Sequence, residues 1–173
     1  AQNDVADLPN NMAPDDRTFF LEELPAEVTR QLLALLTPEE RSVALTLLGY
    51  PENSVGRLMT PHYVAVRDDW TVREVLDYVR THGQDSETLN VIYVIGQQSL
   101  LIDDVRIREF LLAPLDGKVA DLMDRRFVSL KATDDQGTAV SLFRQYDRTA
   151  LPVTDTTGML IGIVTIDDVL DVA

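Results

Sequence analysis

The sequence predicts an α+β fold in which two β-α-β-β-α units stand in tandem behind a short all-α segment. Three observations lead there. A block of the chain returns at a nearly constant spacing, each copy mixes β-rich runs with helical periodicity, and the residues before the first copy carry helix punctuation without strand alternation.

The all-α segment reads as helices over 15–24, 25–36 and 38–48. The last is the best marked: Thr37, Pro38 and Glu40 combine a capping box with proline at the first helical position, and Gly49 followed by Pro51 supplies the stop. Leu32, Leu33, Leu35, Leu36, Val43, Leu45, Leu47 and Leu48 are more apolar residues than isolated helices carry in water, so they must pack on one another or on further sequence. Residues 1–14 read as the frayed end of a larger helical domain.

The repeat begins after Glu52. Val55-Gly56-Arg57-Leu58-Met59 returns 64 positions later as Val119-Ala120-Asp121-Leu122-Met123, and Val64-Ala65-Val66 returns at the same spacing as Val128-Ser129-Leu130. The helical pattern of Val75, Leu76 and Val79 matches Ala139, Val140 and Phe143. An insertion of five residues in the first copy then changes the spacing to 59, so that Ile92-Tyr93-Val94 matches Leu151-Pro152-Val153 and Ile107-Arg108-Glu109 matches Ile166-Asp167-Asp168. In the second copy 127–130 reads as a short strand, 136–146 as a helix, and 150–154 and 160–165 as a hairpin turned by Asp155-Thr156-Thr157-Gly158. Thr71 and Glu74 form a capping box for the first copy's helix, and Asp135 takes the N-cap place in the second. Units of about 55 residues are marginal alone, so the two sheets are expected to bury each other as a pseudo-twofold pair. Domain limits follow at 1–52, 53–117 and 118–173.

Twenty-nine Asp and Glu against 15 Lys and Arg give a net charge of −14, which opposes binding to nucleic acid and to anionic lipid. Cations are the natural partners. Acidity alone also serves solubility, so the placing of the acids matters more than their number. Without cysteine there is no disulfide framework and no thiolate site, which permits a reducing compartment. No apolar run approaches the roughly 20 residues of a membrane-spanning helix, and the start lacks a signal-peptide pattern, so the chain as given reads as soluble. His62 and His82 share no metal-ligand spacing and no nucleophile elbow or zinc motif occurs, so no catalysis is expected. Trp70 reads as a core or staple residue, and Met59 and Met123 as core residues at equivalent places.

Leu58-Met59-Thr60-Pro61 opening a unit, Leu151-Pro152-Val153 before a hairpin and Gly162-Ile163-Val164-Thr165-Ile166-Asp167-Asp168 closing it resemble a pair of cystathionine β-synthase (CBS) domains over 53–173. More narrowly, the run from Tyr50 through Glu52, Gly56 and Met59 to Pro61, the ending from Val164 to Val172, and the Leu-rich helices before them are similar to MgtE magnesium channels. That resemblance implies the end of an N-terminal helical domain, a CBS pair, and beyond it a plug helix and a dimeric transmembrane pore on the same full-length chain. It implies a fragment at the cytoplasmic face of the plasma membrane that senses Mg2+, closes on binding it, and gates uptake. A homodimer through the CBS pairs is expected, because the apolar faces around Val75, Leu76, Val79, Val140 and Phe143 exceed what one thin pair can bury.

Mg2+ takes oxygen ligands in an octahedron and keeps several waters, so a few carboxylates suffice for a sensory site. Asp168 and Asp171, three apart on an expected helix, share a face, and the family resemblance implies Mg2+ ligands at Asp135, Asp147, Asp168 and Asp171, with Asp15 and Asp16 on the helical side. Competing structural roles exist. Asp135 suits an N-cap, Asp168 completes a capping box with Thr165, and Asp15 and Asp16 suit a first helical turn after Pro14. Asp147, at a helix C-terminus where an acid is disfavoured, most needs a functional reason. Where the family often has an acid two residues after Asp135, this chain has Gly137. The alternative is an adenine-nucleotide site for ATP or AMP, which many CBS pairs build from a Thr or Ser and an acid three residues on. Thr165 and Asp168 fit that pattern, and the first copy has Arg106 and Glu109 in their place.

Overall fold

The structure, a computed structural model, describes residues 24–172. The helical segment contributes α1 (Ala26–Ala34) and α2 (Pro38–Leu47). Thr37 and Glu40 close the expected capping box on α2, and Gly49 ends it at φ +91°, a left-handed turn that favours glycine. The helix expected over 15–24 lies, but for Leu24, outside the described residues.

The first module contains β1 (Ala65–Arg67), α3 (Val72–His82), β2 (Val91–Ile95), β3 (Leu101–Arg106) and α4 (Ile107–Leu112). The second contains β4 (Leu130–Lys131), α5 (Gln136–Gln145), β5 (Ala150–Thr154), β6 (Leu160–Thr165) and α6 (Ile166–Val172). Each makes a three-stranded sheet in chain order, with a parallel first pair and an antiparallel hairpin. The symmetry reaches single residues. Val91 pairs with Arg106 as Ala150 pairs with Thr165, and the register shifts between Val94 and Ile95 in one hairpin and between Val153 and Thr154 in the other. Strand β4 is shorter than the expected 127–130. There the chain is still turning: Arg125 sits at φ +59°, Asp124 accepts the Arg126 N–H at 2.8 Å, and Phe127 packs into the core without joining the ladder.

The sheets meet as expected. Tyr63, Val91, Tyr93 and Leu101 pack with Ala150, Leu160 and Ile163 in one buried cluster drawn from both modules. Thr60 exchanges backbone hydrogen bonds with Ile163 at 2.8 and 2.9 Å, and the two hairpin turns touch where the Leu101 N–H donates to the Gly158 carbonyl at 3.1 Å.

The opening segment of each repeat crosses to the other module. Val55 and Gly56 donate to the carbonyls of Asp134 and Ala132 at 2.8 Å each, and Val55 and Met59 are buried with Leu130, Ala139 and Val153 of the second module. Symmetrically, Val119 donates to Trp70 at 2.9 Å and is buried with Val64, Val72 and Phe110 of the first, with Leu122 and Met123 beside it. The linker between modules is held by Asp103. This carboxylate, fully buried, accepts the N–H groups of Asp124 and Arg125, both at 3.0 Å, and of Asp104 at 2.9 Å.

One expectation about the surface is corrected. Val75 and Phe143 are buried and Leu76, Val79 and Val140 pack against the cores, because the crossed segments and the neighbouring helices cover those faces. The most exposed leucines of the two modules are instead Leu111 and Leu112 on α4, at 65% and 75%, and Leu170 on α6, at 56%.

Candidate functional site

The four acids expected in the second module are all exposed, and they fall in three places, with only Asp168 and Asp171 on a common helix. Asp135 caps α5, its Oδ2 accepting the Gly137 N–H at 2.7 Å. Asp147 follows the other end of α5, so the helical rise alone separates it from Asp135 by about 15 Å. Asp168 and Asp171 lie on α6, where Thr165 Oγ1 accepts the Asp168 N–H at 3.2 Å as an N-cap does and leaves the Asp168 carboxylate outward. No group of three or more acid or histidine side chains converges on one point among the described residues. Asp15 and Asp16 lie outside those residues. The donor chemistry, exposed hard carboxylates with room for water, fits Mg2+ held at several separate places and fits no closed protein cage. Gly137 has a local reason of its own: a Cβ there would meet Asp135 Oδ2 at 2.8 Å, so an acid at this position would displace the cap.

A second arrangement lies between the modules. Asn90, Arg106 and Arg108 of the first and Asp147, Arg148 and Thr149 of the second line a cleft of about 290 Å³. Asn90 Nδ2 donates to Thr149 Oγ1 at 3.3 Å across the seam, and the Ile107 N–H donates to the Asn90 carbonyl as the Ile166 N–H donates to that of Thr149. Three guanidiniums and one carboxylate make this a cationic spot on an acidic protein, suited to phosphate oxygens. Arg148 also reaches inward to Asp104, Nη2 to Oδ2 at 3.6 Å. Glu109 is exposed on α4, while Thr165 and Asp168 sit at the start of α6, so the residues expected around a nucleotide are not gathered in this cleft. Sequence reasoning missed Asn90, Arg148 and Thr149. A signal existed for one of them, because Arg148 stands where the repeat has Leu89.

The larger cavity, about 540 Å³, separates α1 and the exit of α2 from the hairpin turns of both modules. Glu27, Lys131 and Asp155 stand around it among apolar walls including Leu48, Met159 and Ile161. Size alone does not make it the ligand site. Its charges are sparse and mixed, whereas the smaller cleft gathers three of one sign.

Residues 1–53 match the family model of the MgtE intracellular N domain, and residues 119–173 match that of the CBS domain. The magnesium transporter MgtE of Thermus thermophilus is 38% identical over 170 residues, covering 98% of this chain and 36% of the transporter. That of Bacillus subtilis is 35% identical over 163 residues, covering 94% of this chain and 36% of its own length. The crystal structure of the cytosolic domain of the Mg2+ channel MgtE in complex with ATP is 32% identical, covers 97% of this chain and 79% of that one, and superimposes with a TM-score of 0.73. The chain belongs to the MgtE family. It spans 36% of the length of the two MgtE transporters it matches. Within the MgtE frame α1 and α2 fall in the N domain and the second repeat is a CBS domain, as the resemblance of the residues implied. Among the described residues no helix is long and apolar enough to cross a membrane.

Proposed function

We propose that this chain is the Mg2+-sensing cytosolic regulatory region of a magnesium channel or transporter, closing on Mg2+ to limit uptake. The observation that carries the reading is its likeness, over nearly its whole length, to the cytosolic domain of a Mg2+ channel. The sensing acids are Asp135, Asp147, Asp168 and Asp171 of the second module, with Asp15 and Asp16 from the helical side. Exposed carboxylates repel one another without divalent ions, and Mg2+ bound better by a closed arrangement than by an open one would shift the lobes together. Because the acids are spread over α5 and α6, several weak sites acting together give the response its steepness. The module is regulatory and not catalytic, it forms a homodimer through its paired modules, and its domains divide at 52 and 117. The exposed Leu111, Leu112 and Leu170 are among the apolar residues such a dimer would cover.

Small-angle scattering during a Mg2+ titration tests this. Native protein is expected to compact, and Asp168→Asn combined with Asp171→Asn to compact less with an unchanged fold. Identical curves for the two would falsify the ligand assignment.

A second reading, that the module also takes adenine nucleotide, is favoured by the cleft of Arg106, Arg108 and Arg148. Calorimetry with ATP decides it. Arg148→Ala is expected to weaken binding severalfold, and ATP affinity unaffected by that change would remove the cleft from the site.

A further inference from the structure

Arg148 serves two neighbours, the cleft on one side and the Asp104 carboxylate on the other, and the pair is largely closed to water, with side chains 19% and 8% exposed. We propose that Asp104 is the positioning residue for Arg148, and that an anion entering the cleft draws Arg148 away from Asp104 and so causes Asp104 to take up a proton from solvent. This rests on the nucleotide reading of the cleft.

Every element around Asp104 bears on the balance. Arg148, in the loop before β5, and Arg106, two residues along β3, both favour its anion. Asp103 on the same strand and Asp124 in the linker oppose it. Tyr93 stands opposite it in the β2–β3 register, and the buried Tyr93 hydroxyl has no hydrogen-bond partner among the described residues, so it gives the Asp104 anion no hydrogen bond. Burial is the largest influence and pushes the Asp104 carboxyl up to about 6. The two cations that hold it down both line the cleft. A polyphosphate that engages them removes the stabilisation of the carboxylate, so the value rises further and protonation follows near neutral pH. By linkage the same coupling runs backwards, and anion affinity rises as pH falls, by up to about tenfold per pH unit for one linked proton.

The test is calorimetry of ATP binding to this chain between about pH 6 and 8, in buffers of different ionisation enthalpy, so that protons exchanged with ATP itself are counted equally in native protein and variants. Native protein is expected to take up more protons than Asp104→Asn, while Asp104→Glu keeps an uptake. At about pH 8 Asp104→Asn, which no longer holds Arg148 with a charge, is expected to bind ATP severalfold tighter than native. Equal proton counts with ATP bound overturn the coupling and leave the nucleotide reading intact. Absence of ATP binding by native protein and both variants across this range overturns both.

Discussion

The Ser99 hydroxyl donates to Glu27 Oε2 at 3.0 Å, joining the first described helix to a hairpin turn 72 residues away. That turn is strained, with Gln98 at φ +57° and Ser99 at φ +66°, and neither residue is glycine. Beside it the Arg30 guanidinium lies 4.8 Å from the centre of the Tyr63 ring. Helix α1 is thus fastened to the first module by two polar contacts next to a cavity.

Ser99→Ala removes one of them. A net loss of about 1 kcal/mol of docking is expected. Hydrogen exchange should show it as faster exchange in α1 with the two sheets unchanged, and uniform acceleration everywhere would contradict a local fastening.

Asp103→Ala is expected to be far more damaging. It strands three backbone N–H donors, those of Asp124 and Arg125 in the linker and of Asp104, at a cost of about 1 to 3 kcal/mol for each donor that water cannot reach. Urea denaturation measures the loss. A midpoint within error of the native one would mean the linker is held by other contacts.

Gly56→Ala tests the crossing of the first opening segment. A Cβ there would stand 2.6 Å from Tyr50 Cδ1 and 3.0 Å from the Ala132 carbonyl, so either the helical segment or the second module must give way. Overpacking of this kind costs about 1 to 3 kcal/mol. Thermal denaturation should fall accordingly, and Gly96→Ala, where the nearest neighbour is 3.7 Å away, is the mild control.

Asp104 gives stability a pH dependence of defined sign. Its folded value, about 6, lies above the ordinary carboxyl value of about 3.9, so the folded chain holds this proton more tightly than the unfolded one. The contribution is complete below the unfolded value and is lost as pH rises from about 4 to about 6. Relative to Asp104→Asn, native protein should therefore lose stability across that window and run level above it. Parallel urea midpoints throughout would rule this out.

The fold was legible where the sequence repeats and where turns are spelled out. Spacings of 64 and then 59 placed both modules, and the 59 spacing holds residue for residue through the paired hairpins. Thr37, Thr71 and Asp135 cap the helices they were expected to cap. The exchange of opening segments was not legible, because Val55 and Val119 are equally apolar whichever module they enter. The same limit explains the misjudged dimer faces: Val75 and Phe143 show a half-covered helix on paper, and the segments that cover them come from elsewhere in the chain. Of the candidate site, the acids could be named one by one, but their separation depends on the length and packing of α5 and α6. The arginine cleft needed three arginines to meet from two modules. Arg106 and Arg108 read in sequence as a solvated helix face, and the interruption of the repeat at Arg148 was a signal left unused.

The exchange also bears on how the chain can be made. As the chain leaves the ribosome, the first module lacks one wall until Val119 and Met123 emerge, while the second finds its own wall, Val55 and Met59, already waiting. Maturation cannot proceed one module at a time from the N-terminus, the usual order for separable domains. A nascent chain arrested after residue 117 should remain open to protease in α3, which closes once residues 119–123 emerge, while the first sheet, whose Tyr63, Val91 and Tyr93 pack on Ala150, Leu160 and Ile163, should stay open until the second hairpin is out.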